Sequence, residues 1–113
     1  MKLITAYIQP FMAEKVTDAL RTASVRDVTL VACQGFGGVS GEGAPCYLDE
    51  GTEFGFANRT KIEILCGDAA VEETIAIIRD HAHTGHQGDG RILVSDVGVV
   101  VDIRTGNRGV DIL

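Results

Sequence analysis

The chain has no tryptophan, and aromatic residues make up only 5% of its 113 residues. A domain of this length buries a modest core, which must here be built mainly from aliphatic side chains. No apolar run approaches the roughly 18 residues that a membrane-spanning helix needs, and the N-terminus lacks the pattern of a signal peptide. We expect one soluble, cytoplasmic domain over residues 1–113, without membrane insertion.

The chain also lacks a disulfide framework and a basic cluster. Its three cysteines, Cys33, Cys46 and Cys66, form no CxxC pair. Cys33 and Cys66 lie in apolar runs, where a thiol usually packs as a small hydrophobe, whereas Cys46 is either a regulatory or an ordinary free thiol. The net charge of −6, with no run of lysine or arginine, disfavours nucleic-acid binding.

The spacing of the apolar residues predicts four strands and two helices. Strands are predicted over 3–8, 28–33, 59–66 and 91–97, and helices over 11–22 and from Asp68, as N-cap, to about residue 81. Residues 99–103, within a C-terminal tail over 99–113, would extend the last strand or add a fifth. The order β-α-β-β-α-β predicts an α+β, ferredoxin-like fold, with an antiparallel sheet and both helices on one face. The uncovered face predicts oligomerisation.

A long loop over 36–58 separates the second and third strands. It is rich in glycine and contains Pro45, with too little apolar periodicity for a helix or strand. Loops of this length inside compact domains are usually functional or disordered.

Three segments could converge on a phosphate group, namely Gly35-Phe36-Gly37-Gly38, Gly88-Asp89-Gly90-Arg91 and Ile103-Arg104-Thr105-Gly106. Glycine lets the backbone approach a ligand closely and aim its N–H groups at anionic oxygens, and the two arginines add charge-assisted hydrogen bonds. An aspartate in a turn usually accepts hydrogen bonds from its own backbone, which is the role expected for Asp89. Each segment alone is a weak signal.

Together these segments resemble the PII signal-transduction family over nearly the whole chain. The resemblance rests on the following stretches: Met1-Lys2-Leu3-Ile4, Pro10-Phe11, Gln34-Gly35-Phe36-Gly37, Lys61-Ile62-Glu63-Ile64, Thr84-Gly85, Gly88-Asp89-Gly90-Arg91-Ile92, Asp96-Val97 and Ile103-Arg104-Thr105-Gly106. It implies a homotrimer with nucleotide sites in the clefts between adjacent subunits. It also implies that the long loop contacts a regulated enzyme or membrane transporter.

The resemblance assigns site residues to two groups. One group would surround the adenosine, with the last two members offering backbone groups to the base: Thr29, Gly35, Gly37, Glu63 and Leu65. The other would lie at the phosphates, with Arg91 in place of the family's usual lysine: Gly38, Gly88, Asp89, Gly90, Arg91 and Arg104.

Departures from the family pattern bear on which ligand is bound. Gly38 and Val39 stand where members that hold ATP with magnesium have arginine and glutamine, and Asp102 stands where they have arginine. A charge-assisted contact is worth about 1.5 to 3 kcal/mol, so each loss weakens triphosphate binding roughly 10- to 100-fold. We therefore expect ADP or AMP to be preferred over ATP. Loss of the glutamine also disfavours 2-oxoglutarate, while Arg59 and His86 are candidates to hold a smaller anion.

The loop carries two candidate partner-binding residues, Tyr47 and Phe54. Phe54 lies where the family's modified tyrosine would be, and it has no hydroxyl to uridylylate. Atypical members associated with carboxysomes or transporters respond to bicarbonate or adenylates, and this chain resembles them. The alternatives are a nitrogen-type sensor of ATP and 2-oxoglutarate, a PII-like protein linked to heavy-metal efflux, and a small acyl-phosphate hydrolase of ferredoxin-like fold.

The sequence predicts no metal, no cofactor and no catalytic residue. His81 and His83 lie at a helix end, where cationic side chains are favoured by the helix dipole. The acidic residues Asp49, Glu50 and Glu53 in the long loop are typical of a solvated surface. No spacing supports a nucleophilic pair between Cys46 and a histidine, so the prediction is a regulator without enzyme activity.

Overall fold

The computed structural model describes residues 1–36 and 56–113. In this part of the chain the strands are β1 (Lys2–Ile8), β2 (Val28–Gly35), β3 (Ala57–Cys66) and β4 (Gly90–Asp96), and the helices are α1 (Ala13–Thr22) and α2 (Val71–Ala82). Short 3-10 helices span Pro10–Met12, Asp68–Ala70 and Val110–Ile112. The predicted element order is confirmed.

The strands form one antiparallel sheet in the order β2-β3-β1-β4. β1 lies between β3 and β4, so that Ile4 is opposite Ile64 on one side and Val94 on the other. This strand order, with a helix joining β1 to β2 and another joining β3 to β4, confirms the predicted α+β, ferredoxin-like fold.

The core lies between the sheet and the two helices. Side chains alternate along a strand, so every second residue of β1 and β3 points towards the helices. The helices meet them with residues four positions apart on one face. The buried set is aliphatic, as the scarcity of aromatic residues predicted: Ile4, Ala6, Ile8, Ile62 and Ile64 from the sheet, and Val16, Leu20, Ile78 and Ala82 from the helices.

Neither helix packs on the other side of the sheet, which we call the open face. Tyr7 and Leu93 are 37% and 48% exposed there in the single chain. The strand register assigns the following residues to it: Leu3, Thr5, Tyr7, Thr29, Val31, Cys33, Arg59, Lys61, Glu63, Leu65, Arg91, Leu93 and Ser95. An apolar surface of this kind favours association with another chain.

Three sequence predictions are wrong in detail. Residues 99–103 form no strand, and Val101 makes an isolated bridge to Arg108 within a hairpin of the tail. Asp68 does not cap α2, because its carboxylate lies 3.0 Å from the N-terminal amine of Met1 and a 3-10 turn precedes the helix. β3 begins at Ala57 and not at residue 59, so the predicted loop over 36–58 includes the first two residues of this strand.

None of the helices within residues 1–36 and 56–113 is long and apolar enough to cross a membrane.

Candidate functional site

The segment from Thr84 to Arg91 forms a compact turn around the carboxylate of Asp89. The backbone N–H groups of Thr84 and Gly85 donate to Asp89 Oδ2 at 2.8 and 3.0 Å, and the Thr84 hydroxyl donates to Oδ1. The N–H of His86 in turn donates to Thr84 Oγ1 at 3.2 Å. The prediction that Asp89 bonds its own backbone is confirmed, and the turn is held by its own side chains.

These hydrogen bonds stabilise the ionised form of Asp89. Partial burial raises the pKa of the carboxyl group, but the hydrogen bonds from Thr84 and Gly85 and the nearby His83 lower it, and the net result is a pKa below the ordinary value of 3.8. Asp89 is therefore a carboxylate at neutral pH, with both oxygens engaged by the turn.

The glycines of the turn have backbone angles that other residues rarely adopt. Gly85, Gly88 and Gly90 have φ values of +88°, +94° and +107°. At Gly90 a Cβ atom would lie 1.7 Å from the carbonyl oxygen of Tyr7, so no larger residue fits beside β1. The glycines of this segment are thus required by the backbone angles of the turn and, at Gly90, by the close approach of β1.

A residue that the sequence analysis did not single out connects this turn to β3. Gln9, which follows β1, is 1% exposed. Its Nε2 donates to the carbonyl oxygen of Gly88, and its Oε1 accepts from Arg59 Nη1 at 3.3 Å. The same Arg59 nitrogen donates to the carbonyl oxygen of Asn58 at 2.8 Å. Arg59, a candidate anion ligand, is therefore linked through Gln9 to the candidate phosphate turn.

A cleft of about 370 Å³ lies beside the turn, between α2 and the start of β4. Its walls include Ile78 and Ile92 together with Arg79, His83 and Arg91. The turn therefore borders an open cleft lined by apolar side chains, by the two arginines and by Asp89 of the turn itself.

The predicted adenosine residue Thr29 lies at the opposite edge of the sheet from Arg91, although both are on the open face. Thr29 on β2 is paired with Glu63 on β3, and Arg91 is on β4 at the opposite edge. Three strand spacings separate the two edges, a distance of roughly 14 Å. One subunit therefore does not bring Thr29 and Arg91 together.

Glu63 and Leu65 differ in what they can offer a ligand. Glu63 is paired with Thr5 on one side and Thr29 on the other, so its peptide groups belong to the sheet. Its carboxylate faces the open side and lies 3.0 Å from Lys61 Nζ. Leu65 lies one position beyond the last pair between β2 and β3, at the end of the ladder.

Arg104 lies in a hairpin of the C-terminal tail, remote from the turn along the fold. The hairpin is closed by the bridge between Val101 and Arg108 and by a 2.8 Å bond from the N–H of Asp102 to the carbonyl oxygen of Asn107. The hairpin follows the end of β4 that pairs with Lys2. The turn leads into Gly90, which pairs with Ile8 at the opposite end of the strand.

Asp102 has a structural role in this hairpin. Its Oδ1 accepts hydrogen bonds from the backbone N–H groups of Arg104 at 2.8 Å and Thr105 at 3.1 Å. Its carbonyl oxygen accepts from the N–H of Gly106, which has a φ of +74°. The carboxylate that stands in place of a family arginine thus fixes the backbone that carries Arg104.

Several predicted residues lie outside the described part of the chain. They are Gly37, Gly38 and Val39 of the glycine segment, Cys46, the acidic residues Asp49, Glu50 and Glu53, and the candidate partner residues Tyr47 and Phe54. Gly35 ends β2 opposite Ala57, on the edge strand opposite to the one that carries Arg91.

The histidines and cysteines of the described residues form no metal site, since no group of three potential ligands occurs among residues 1–36 and 56–113. The ring of His81 donates from Nδ1 to the carbonyl oxygen of Ile77 at 2.8 Å, near the end of α2. Cys33 and Cys66 are half-buried free thiols, and burial raises the pKa of Cys66.

Comparison with known proteins gives a consistent result. The family described as nitrogen regulatory protein P-II matches residues 1–107. A nitrogen regulatory protein P-II of Mesorhizobium japonicum is 42% identical over 98% of both chains, and one of Azospirillum brasilense is 40% identical over the same share. The nitrogen regulatory protein GlnK of Escherichia coli K12 is 36% identical over 94% of both chains.

The fold and these relatives agree. A four-stranded antiparallel sheet with two helices is the fold of this family, whose members are typically trimers that regulate partner proteins. The relatives are named as regulatory proteins rather than enzymes. The chain belongs to the nitrogen regulatory P-II family.

Proposed function

We propose that this protein is a non-catalytic, cytoplasmic, trimeric regulator that binds an adenine nucleotide at three equivalent clefts between adjacent subunits. In this proposal Gly88–Arg91 of one subunit and Arg104 of the next hold the phosphates, with Thr29 and Leu65 at the adenosine. The long loop then reports the bound nucleotide to a partner, an enzyme or a membrane transporter. The observation that carries the proposal is the turn, because its backbone is held by hydrogen bonds to the Asp89 carboxylate and it leads into β4 at Arg91.

The turn suits a phosphate for electrostatic as well as steric reasons. Asp89 is engaged by Thr84 and Gly85, so its carboxylate is directed into the turn. Gly88 has no side chain to shield the neighbouring peptide groups, and Arg91 supplies a positive charge and a forked donor. An anion can therefore approach the backbone without meeting an unpaired carboxylate.

The arrangement of the sheet supports a site between subunits. Thr29 and Arg91 lie on opposite edge strands, and Arg104 lies in a hairpin at the far end of β4. Side-by-side packing of copies brings one edge next to the other, which a single subunit does not do. The family's typical trimer supplies such packing.

The expected order of affinity is ADP and AMP ahead of ATP. Gly38 and Val39 offer neither a cation for a third phosphate nor an amide for a magnesium ion. Each missing charge-assisted contact lowers triphosphate affinity roughly 10- to 100-fold. A site that retains Gly88–Arg91 and Arg104 still has cations for one or two phosphates.

A small anion such as bicarbonate is the proposed co-ligand, and nitrogen sensing is the second candidate. Arg59 donates to Gln9, which in turn donates to Gly88 of the turn. The positive charge of Arg59 near the turn supports the binding of an anion in that region. The names of the relatives from Mesorhizobium japonicum and Escherichia coli favour nitrogen sensing instead. The two candidates differ in whether bicarbonate or 2-oxoglutarate changes the nucleotide affinity.

Calorimetric titration with AMP, ADP and ATP, each alone and with magnesium, bicarbonate or 2-oxoglutarate, tests the proposal. We expect saturable ADP binding, no nucleotide or acyl-phosphate turnover, and a loss of roughly tenfold or more in ADP affinity for Arg104→Ala with the trimer intact. Tight ATP binding that requires magnesium and 2-oxoglutarate would establish the nitrogen-type alternative. Rapid hydrolysis would contradict a purely regulatory role.

A further inference from the structure

Gln9 is one of two buried polar residues in the described part of the chain, the other being Thr74. The hydroxyl of Thr74 donates to the carbonyl oxygen of Ala70, at the start of its own helix. Gln9, in contrast, joins two segments that are distant in sequence. Its partners are Gly88, 79 positions away, and Arg59, 50 positions away. A buried amide with two such partners fixes their relative positions.

The orientation of the Gln9 amide follows from the chemistry of its partners. The carbonyl of Gly88 can only accept a hydrogen bond, and the guanidinium of Arg59 can only donate. The nitrogen of the amide must therefore face Gly88 and the oxygen must face Arg59. Rotation by half a turn would place donor against donor and acceptor against acceptor.

Holding the Gly88 carbonyl also orients the next N–H group. The peptide between Gly88 and Asp89 is planar and trans, so its C=O and its N–H point in opposite directions. With the carbonyl bound to Gln9, the N–H of Asp89 is directed away from Gln9. This N–H belongs to the segment that the proposed function assigns to phosphate binding.

We propose that Gln9 is a positioning residue that orients the Gly88–Asp89 peptide for an anion and links it to Arg59 at the start of β3. This inference rests on the proposed function for the identity of the anion, but the link itself does not require a ligand. Arg59 is the third residue of β3, which follows the long loop. Through this link, a change in the orientation of the Gly88–Asp89 peptide also changes the hydrogen bonding of Arg59, close to where β3 begins after the long loop.

The link is tested first without nucleotide, by amide hydrogen exchange of peptides that cover 84–91. We expect Arg59→Met to speed exchange there severalfold when Gln9 is present, and to have no effect in a protein that also carries Gln9→Met. Gln9→Glu is the second variant, because its carboxylate still accepts from Arg59 but cannot donate to Gly88. Identical exchange over 84–91 in the parent and in Arg59→Met and Gln9→Glu would overturn the link.

The positioning role is tested next by ADP titration. Gln9→Glu and Gln9→Met should each lower ADP affinity about three- to tenfold, since one phosphate donor is no longer held in place. Gln34→Met is the matched control, because Gln34 is exposed on β2 and donates to the side chain of Asn58 on the neighbouring strand β3 at 3.1 Å. Equal affinities in the parent and both Gln9 variants would overturn the positioning role. If the parent binds no ADP, the proposed function fails, and the exchange experiment decides the link by itself.

Discussion

Gly90 is the position in the turn with the least room for another residue. A Cβ atom would meet the backbone of Tyr7 on β1, and the φ of +107° disfavours any side chain. We expect Gly90→Ala to lower the free energy of unfolding by at least about 2 kcal/mol, because β1 and β4 must separate to relieve the overlap. Urea denaturation measures this change. The control is Gly67→Ala, where the added atom meets open space and the change should stay within about 0.5 kcal/mol.

Asp89 makes the stability of the turn depend on pH. A carboxyl group whose pKa is lowered by folding stabilises the protein fully above its unfolded pKa, and this contribution is lost as the pH falls through the folded pKa. The pKa of Asp89 is lowered, so the contribution is present at neutral pH and lost below the ordinary value of 3.8. We expect Asp89→Asn to be less stable than the parent at pH 7 and the difference to shrink as the pH falls below 3.8. A stability difference that does not change with pH would contradict the assignment.

The sequence predicted some of these residues and not others, for a physical reason. Glycines and an aspartate in a turn act on neighbouring backbone, so the roles of Gly90 and Asp89 could be predicted locally. Gln9 acts through Gly88 and Arg59, which are far away in sequence. No local pattern distinguishes it from an exposed glutamine after a strand.

The hairpin of the tail gives Asp102 a role opposite to the one expected from its charge. A negative charge near a phosphate should weaken binding, yet Asp102 Oδ1 holds the backbone of Arg104 and Thr105. We expect Asp102→Ala to lower ADP affinity severalfold, because Arg104 loses its fixed position. Asp102→Asn keeps an acceptor oxygen and should bind ADP as well as the parent or better.

Calorimetric ADP titration of the two Asp102 variants separates the effects of position and charge. If charge alone mattered, Asp102→Ala and Asp102→Asn would both bind ADP more tightly than the parent. If Asp102 must instead hold the hairpin, Asp102→Ala should bind ADP more weakly than the parent, and Asp102→Asn should bind it as well as the parent or better. Tighter binding by both would contradict the structural role of Asp102.

The strands and helices were predicted because their apolar residues follow a regular period, and the buried residues on β1, β3 and both helices confirm it. The structure of the tail was not predicted correctly, because Val99, Val101 and Ile103 have the β-branched pattern of a strand but lack a neighbouring strand in the sheet. Strand propensity describes fit to a pleated surface and does not supply a pairing edge. The capping role of Asp68 was predicted wrongly for a similar reason, since its carboxylate accepts from the N-terminal amine of Met1, which is distant in sequence.

The molecule as a whole presents apolar surface that a single subunit leaves uncovered. Leu93 on the open face is 48% exposed, and Ile103 on the tail is fully exposed. Such surfaces, together with a family that typically forms trimers, explain why a modest core suffices for a chain of 113 residues. They also agree with a site whose parts lie at opposite edges of one sheet.

The ADP stoichiometry of mixed trimers tests the central claim, that each site takes Arg91 from one subunit and Arg104 from the next. Arg91→Ala and Arg104→Ala are first shown to form trimers with little ADP affinity. They are then co-expressed in equal amounts, and trimers containing both are titrated calorimetrically. Each trimer that contains both variants should recover one of its three sites, because only the cleft that takes Arg91 from an Arg104→Ala subunit and Arg104 from an Arg91→Ala subunit is complete. Mixed trimers in which no site recovers would contradict the shared site.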